Sequence, residues 1–182
     1  MRTRKHFLLL ALLLGVGLLP TGASAQRAGH PELEGAVEIH PSVGLASGAG
    51  AGLGIDLRGT FWAARERGYT VGPEVVIGFA NFSLDGPGHV GLFRLMGGAR
   101  IAFDSGAVTP AIFGRVGLHP GRGRPWGPWW WGGWLGPLGL EGGAALDANV
   151  APNVRLGGHM GLNLLTNGFA YLNLGAHLAV KF

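Results

Sequence analysis

The sequence predicts an all-β protein, an eight-stranded antiparallel up-and-down transmembrane β-barrel. Three observations lead to this prediction. Apolar and polar residues alternate with a period of two in eight segments, which is the pattern of strands with one apolar and one polar face. The charged residues of these segments fall on one face only. The amino-terminal residues have the form of a secretory signal.

The amino terminus combines the three parts of a signal peptide. A basic start is followed by an apolar run at residues 7–19 and by Ala-Ser-Ala at residues 23–25. A transmembrane helix needs about 20 apolar residues, so a retained membrane anchor is the weaker alternative. We predict a signal peptide at residues 1–25, cleaved before Gln26, and secretion across the inner membrane.

Charge and composition exclude several classes of function. The chain has 14 Lys and Arg against 10 Asp and Glu, and removing Arg2, Arg4 and Lys5 with the signal leaves 11 against 10. A nearly neutral chain without a basic patch among aromatic residues predicts no nucleic-acid partner. The absence of cysteine excludes disulfides and thiolate metal sites.

The predicted strands are mostly ten to twelve residues long, close to the length that crosses a bilayer with tilt. Their number is even, as in single-chain bacterial barrels. In chain order, the strands span residues 35–46, 53–64, 69–80, 92–103, 108–119, 142–150, 153–164 and 170–182.

Each strand is justified by the apolar residues at every second position. In chain order these residues are Val37, Ile39, Val43 and Leu45; Leu53, Ile55, Leu57 and Phe61; Val71, Val75, Ile77 and Phe79; Phe93, Leu95, Ala99, Ile101 and Phe103; Ile112, Val116 and Leu118; Ala144, Leu146, Ala148 and Val150; Val154, Leu156, Met160 and Leu162; and Leu172, Leu174, Ala176, Leu178, Val180 and Phe182.

The connections alternate between short and long, which predicts the orientation of the barrel. Aromatic residues of the apolar faces then fall at two levels, with Phe61, Phe103 and Phe182 near the periplasmic rim and Phe79 and Phe93 near the outer rim. The predicted periplasmic turns are 65–68, 104–107 and 151–152, and the predicted outer loops are 47–52, 81–90, 120–141 and 165–168.

The polar faces carry the charges and predict what surrounds the barrel. A soluble barrel of lipocalin type has its charges outside, whereas a barrel in lipid has them in the lumen. Alternation alone leaves both readings open, and the aromatic rims favour lipid. The predicted lumen charges are Arg58, Glu74, Arg94, Arg100, Arg115, Asp147 and Arg155.

The last strand, residues 170–182, ends on the aromatic Phe182. This resembles the terminal assembly signal of bacterial outer-membrane β-barrel proteins. Residues 35–182 resemble the small barrels of the OmpA and OmpX type, with residues 26–34 as a short periplasmic segment before them. The resemblance implies location in the cell outer membrane of a Gram-negative bacterium. It also implies contact with outer-membrane lipid, lipopolysaccharide and the barrel-assembly machinery.

Eight strands enclose a lumen that side chains fill, so we expect a plugged barrel rather than a channel. The predicted order of the strands suggests two ion pairs, Arg58 with Glu74 and Asp147 with Arg155. The alternative role for these charges is a gated ion path.

Three histidines, His40, His159 and His177, are predicted to face the lumen at similar heights on neighbouring strands. Imidazoles can bind a metal or respond to pH, and they can also be polar fillers. Their spacing in the sequence is not that of metal ligands, so the sequence predicts neither a metal site nor a cofactor.

The outer loop at residues 120–141 is the main candidate for contact with a partner, because clustered exposed aromatics usually mark an interface. It could dip into the outer leaflet, bind a surface protein or glycan, or fold over the mouth of its own barrel. The five tryptophans concerned are Trp126, Trp129, Trp130, Trp131 and Trp134.

We therefore expect a non-enzymatic barrel that acts in envelope structure or surface contact. The alternative from another class is a lipid-modifying outer-membrane enzyme. His40-Pro41-Ser42 has the His-x-Ser spacing of deacylase barrels, but by parity it faces the lumen, where a lipid substrate does not reach.

Overall fold

A computed structural model describes residues 32–45, 49–84, 88–122 and 136–182. Within these ranges no helix is long and apolar enough to cross a membrane. The described strands are β1 (Glu32–Gly44), β2 (Ala49–Trp62), β3 (Ala64–Glu66), β4 (Tyr69–Leu84), β5 (His89–Phe103), β6 (Val108–Leu118), β7 (Gly121–Arg122), β8 (Leu138–Ala151), β9 (Val154–Leu165) and β10 (Ala170–Lys181).

Antiparallel pairing closes the strands into a barrel. The order around the wall is β1, β2, β4, β5, β6, β8, β9 and β10, and β10 pairs with β1 from Glu34↔Lys181 to Gly44↔Tyr171. The short β3 continues the line of β2 along β4, and β7 continues that of β6 along β5. The predicted eight-stranded antiparallel barrel is confirmed. We call the end that holds Glu32 and Lys181 the inner end.

Several strands are longer than predicted. β1 begins at Glu32, which places Glu34 in the barrel wall, and β8 begins at Leu138, which places Glu141 in a strand instead of at the end of the loop. The β4–β5 hairpin continues outward to the pair Ser83↔His89. The reason is that antiparallel pairing continues as long as a neighbour offers free backbone groups, whatever the hydropathy of the side chains. The predicted signal peptide at residues 1–25 lies outside the described residues.

The outward wall of the barrel is apolar. In β1, Val37 and Ile39 are about half exposed, whereas Glu38 beside them is buried. Phe79 pairs with Phe93 near the outer edge of this band, and Phe103 lies near the inner edge. Between these edges, no outward-facing residue in the described part of the strands carries a charge.

This arrangement is the inverse of a water-soluble barrel. The buried positions include Arg94 and Arg100, each fully buried, whereas leucines such as Leu53 are 62% exposed. Such a wall is unfavourable in water, because large contiguous apolar surfaces drive association. In lipid it is favourable, and each of the eight long strands of the described residues has a hydrogen-bonded neighbour on both sides. The soluble lipocalin-like alternative therefore does not fit the structure.

Leu57 tests the lipid-facing wall, because it lies in the middle part of β2 and is 59% exposed. We expect Leu57→Arg to lower the free energy of unfolding in lipid vesicles by about 2–4 kcal/mol, since a charge near the midplane loses its hydration. Urea titration measures the effect, read from the heat-dependent mobility of the folded band in SDS gels. The control Leu57→Met should change stability by less than about 1.5 kcal/mol. Equal stability of the two variants would contradict a wall in lipid.

Candidate functional site

The lumen is the candidate functional site, because it holds nearly all of the buried ionisable groups. Among the described residues, six carboxylates and five guanidinium groups line it, and four imidazoles lie between them. These residues are Glu34, Glu38, Asp56, Glu74, Glu141, Asp147, Arg58, Arg94, Arg100, Arg115, Arg155, His40, His119, His159 and His177.

Glu141 of β8 is the centre of the ion network. Its Oε2 accepts hydrogen bonds from Arg94 Nη2 at 2.9 Å and from Arg115 Nη1 at 3.0 Å. Its Oε1 accepts from Asn173 Nδ2 at 3.0 Å and from Asn163 Nδ2 at 3.4 Å. Both oxygens are therefore satisfied by donors from four other strands, which ties opposite sides of the barrel together.

From Arg115 the network continues toward the inner end. Arg115 Nε donates to Glu74 Oε1 at 2.6 Å, and its guanidinium lies over the ring of Phe113 at 4.2 Å. The second Glu74 oxygen is 3.8 Å from Arg58 Nη1, and Arg58 Nε donates to Glu38 Oε1 at 2.7 Å. A continuous chain of alternating charges thus crosses the lumen, as buried charges require.

The two predicted ion pairs have different outcomes. Arg58 contacts Glu74, but diagonally, because Glu74 faces Thr60 across the ladder. The predicted Asp147–Arg155 pair is wrong. The register places Asn149 opposite Arg155, and the Arg155 guanidinium reaches Glu34 at 3.1 Å.

Asp147 instead pairs with Arg100 and His177. Arg100 Nη2 donates to Asp147 Oδ2 at 2.9 Å, and His177 Nε2 lies 2.6 Å from Asp147 Oδ1. Asp147 could not have been paired correctly without the register of β8 and β9. In that register it faces Gly157, which has no side chain to meet it.

The structure brings the three predicted histidines together. The ring of His159 lies between those of His40, at 6.1 Å, and His177, at 5.8 Å. His159 Nε2 is 4.0 Å from Glu38 Oε2. The predicted shared level therefore exists, with His159 at its centre.

His40 has a separate set of partners. Its Nδ1 lies 3.0 Å from Ser42 Oγ, and its Nε2 lies 3.2 Å from Asp56 Oδ2, which also accepts from Arg94 at 2.5 Å. The order Ser, His, Asp resembles that of a catalytic triad. However, Ser42 and His40 are no more than 1% exposed and face the lumen, so a substrate carbonyl has no path to the hydroxyl.

Apolar clusters close the two ends of the charged region. At the outer end, the ring of Phe82 packs edge to face against those of Phe169 and Tyr171, with distances of 5.4 and 5.1 Å between ring centroids. These three rings belong to a cluster of buried apolar residues. Toward the inner end, Trp62 and Phe113 belong to a second cluster. Below it, a cavity of about 370 Å³ opens at the inner mouth.

Sequence reasoning left several members out of the predicted network. Glu34, Glu141 and His119 are buried in the lumen, and none of them is among the predicted lumen residues. Glu34 precedes Glu38 by four residues and Glu141 precedes Asp147 by six, and an even spacing along one strand places both residues of each pair on the same face. Glu34 and Glu141 lay beyond the strand ends that hydropathy suggested.

The tryptophan-rich part of the outer loop, with Trp126, Trp129, Trp130, Trp131 and Trp134, lies outside the described residues. Its two stems are described and are attached to the barrel. Gly121 and Arg122 pair with β5, and the backbone N–H of His119 donates to the carbonyl of Pro137 at 2.9 Å. The loop therefore starts and ends at the outer mouth of the barrel, beside β5 and β8.

An apolar wall around a closed charged lumen defines the class of small β-barrels of the outer-membrane type. Among solved structures, the chain is similar to the Neisserial surface protein A (TM-score 0.57, 15% identity), covering 86% of this chain and 100% of that one. It is also similar to Ail, the attachment invasion locus protein of Yersinia pestis, in complex with the heparin analogue sucrose octasulfate (TM-score 0.56, 12% identity, 85% and 100% coverage). No protein-family model and no curated protein matches the chain. At these identities the likeness establishes the fold.

Glu141→Gln tests whether the ion network stabilises the barrel. The variant leaves the guanidinium groups of Arg94 and Arg115 without their shared carboxylate, so we expect a loss of about 3–5 kcal/mol in the free energy of unfolding. The matched control is Glu32→Gln at the inner rim, where the Glu32 side chain is 51% exposed and pairs with Lys181. That control should cost at most about 1 kcal/mol. Similar losses in both variants, measured by urea unfolding, would contradict a central role for Glu141.

Proposed function

We propose that the protein is a non-enzymatic outer-membrane barrel that acts in envelope structure and surface contact. The observation that carries the proposal is the combination of an uncharged apolar wall with a lumen closed by paired charges. The wall fits lipid, which supports location in the cell outer membrane. The proposal includes export with a cleaved signal peptide, for which the support is the sequence of residues 1–25. A rigid core leaves the outer loops as the part that can vary and bind.

The filled lumen argues against transport and against catalysis. The centre of the barrel is occupied by Glu141, Arg94 and Arg115, whose side chains are at most 2% exposed. Toward the outer end, the lumen is filled by Phe82 and Tyr171. An ion would have to displace paired charges to pass. The triad-like group at Ser42 is equally enclosed, so it supports a structural role and gives the lipid-modifying alternative no site.

The tryptophan-rich loop, residues 120–141, is the element we propose for contact outside the barrel. Its stems hold it at the outer mouth, where a loop would meet lipid head groups and lipopolysaccharide. Tryptophan prefers this interface, and arginines such as Arg122 and Arg124 complement phosphate groups. A surface protein or glycan is the second kind of partner that such a loop suits.

Conductance tests the closed lumen. Protein purified from membranes and inserted in planar bilayers should give no stable current steps, because the paired charges fill the lumen and the interior of an eight-stranded barrel is just wide enough for side chains. Reproducible steps of uniform size would contradict the proposed structural role and would favour an ion path.

Tryptophan fluorescence tests the loop. A Trp62→Phe variant reports on the loop tryptophans, and a variant with those five residues changed to serine reports on Trp62, which is 6% exposed inside the barrel. In vesicles of brominated phospholipid we expect strong quenching of the loop signal and weak quenching of Trp62, since bromine quenches only at close range. Quenching no stronger for the loop than for Trp62 would exclude contact with lipid. The loop would then be a candidate for a protein or glycan partner.

A further inference from the structure

We propose that Glu38, His159 and His177 form a binding site for a divalent transition-metal ion of the zinc type in the lumen. Each offers one ligand atom, and these three atoms lie within 4.8 Å of one another. All three side chains are buried. Two imidazoles and one carboxylate are a donor set that zinc uses in proteins, with a further position left for water.

Unpartnered buried atoms point to this ligand. Neither ring nitrogen of His159 has a hydrogen-bond partner, and Glu38 Oε2 and His177 Nδ1 have none either. Leaving such atoms unpaired in a closed interior is unfavourable, because they have lost their hydrogen bonds to water without replacement. The unpaired Nε2 of His159 and Oε2 of Glu38 face each other at 4.0 Å, so one cation between them would satisfy both.

His177 is oriented as metal-binding histidines are. Its Nε2 lies 2.6 Å from Asp147 Oδ1, so the ring can donate that proton to the carboxylate and present Nδ1 as the acceptor. Asp147 is held in turn by Arg100 at 2.9 Å. A carboxylate behind the histidine fixes the tautomer and raises the basicity of the ligand nitrogen.

Two glycines make room for the imidazoles. A Cβ on Gly175 would lie 2.5 Å from Cε1 of His159, and a Cβ on Gly157 would lie 2.5 Å from Nε2 of His177. No side chain larger than hydrogen fits at either place without moving the rings. The wall therefore leaves space for the two imidazoles beside Glu38.

Charge favours a cation at this place. The described lumen has six carboxylates and five guanidinium groups, which leaves it negative while its imidazoles are neutral. Glu38 has a guanidinium on Oε1 only, since Arg58 reaches that oxygen alone at 2.7 Å. An access path begins at the inner mouth, where the cavity reaches Thr109, the ladder neighbour of Asp147.

Metal content after folding tests the site. The tag-free chain is unfolded in urea, refolded into detergent with excess Zn²⁺, dialysed at fixed free Zn²⁺ and analysed by mass spectrometry of the metal. We expect about one Zn²⁺ per folded protein, and at least a tenfold loss of affinity in each of His159→Gln and His177→Gln, which remove a ligand. Refolding in the presence of the ion avoids slow entry into a closed barrel.

Two controls separate this site from other histidines. His89→Gln changes an exposed residue and His119→Gln a buried one near Tyr171, and both should keep the zinc of the unmodified protein. Heat-dependent gel mobility selects the folded fraction of every variant, and Glu38→Gln provides a third ligand variant if a histidine variant does not fold. The proposal is overturned if the folded unmodified protein holds no zinc, or if folded ligand variants hold as much as the controls.

Discussion

The pairing of buried charged side chains in a narrow lumen that side chains fill is the constraint on which the described part of this structure depends. A barrel of eight strands has little space inside, so each guanidinium needs a carboxylate from another strand at hydrogen-bond distance. Glu141 meets this need for both Arg94 and Arg115. The network therefore fixes the positions of strands that are distant in the sequence, and it makes the barrel rigid.

The same constraint explains several glycines of the barrel wall, in a chain with 36 glycines among 182 residues. A bulky lumen residue often lies beside a glycine on the neighbouring strand, as Arg94 and Asp56 lie on either side of Gly78. The small residue provides the volume that the large one occupies. A high glycine content, which suggests flexibility in a soluble protein, allows dense packing in this barrel.

Much of this fold could be predicted from the sequence, because period-two alternation reports directly on the two faces of a strand. Parity placed Arg58 and His159 in the lumen without any knowledge of the fold. The partners of the charges could not be predicted, since they depend on the register of the strands. Arg155 lies opposite Asn149, two residues from the predicted Asp147, and its guanidinium pairs with Glu34 instead. Glu141 was missed because its strand begins in a glycine-rich stretch that hydropathy does not separate from the loop.

The seam between β1 and β10 joins the two strands of the described chain that are most distant in the sequence. Next to it, Phe182 donates its backbone N–H to the carbonyl of Leu33 at 2.8 Å. Until this seam forms, the sheet has two open edges and the charges of the lumen lie exposed to whatever surrounds them. Contacts of such long sequence separation form late, because they require most of the chain to be ordered first. Insertion is thus expected to be all-or-none, with partly assembled barrels vulnerable to proteolysis and to pairing with other chains.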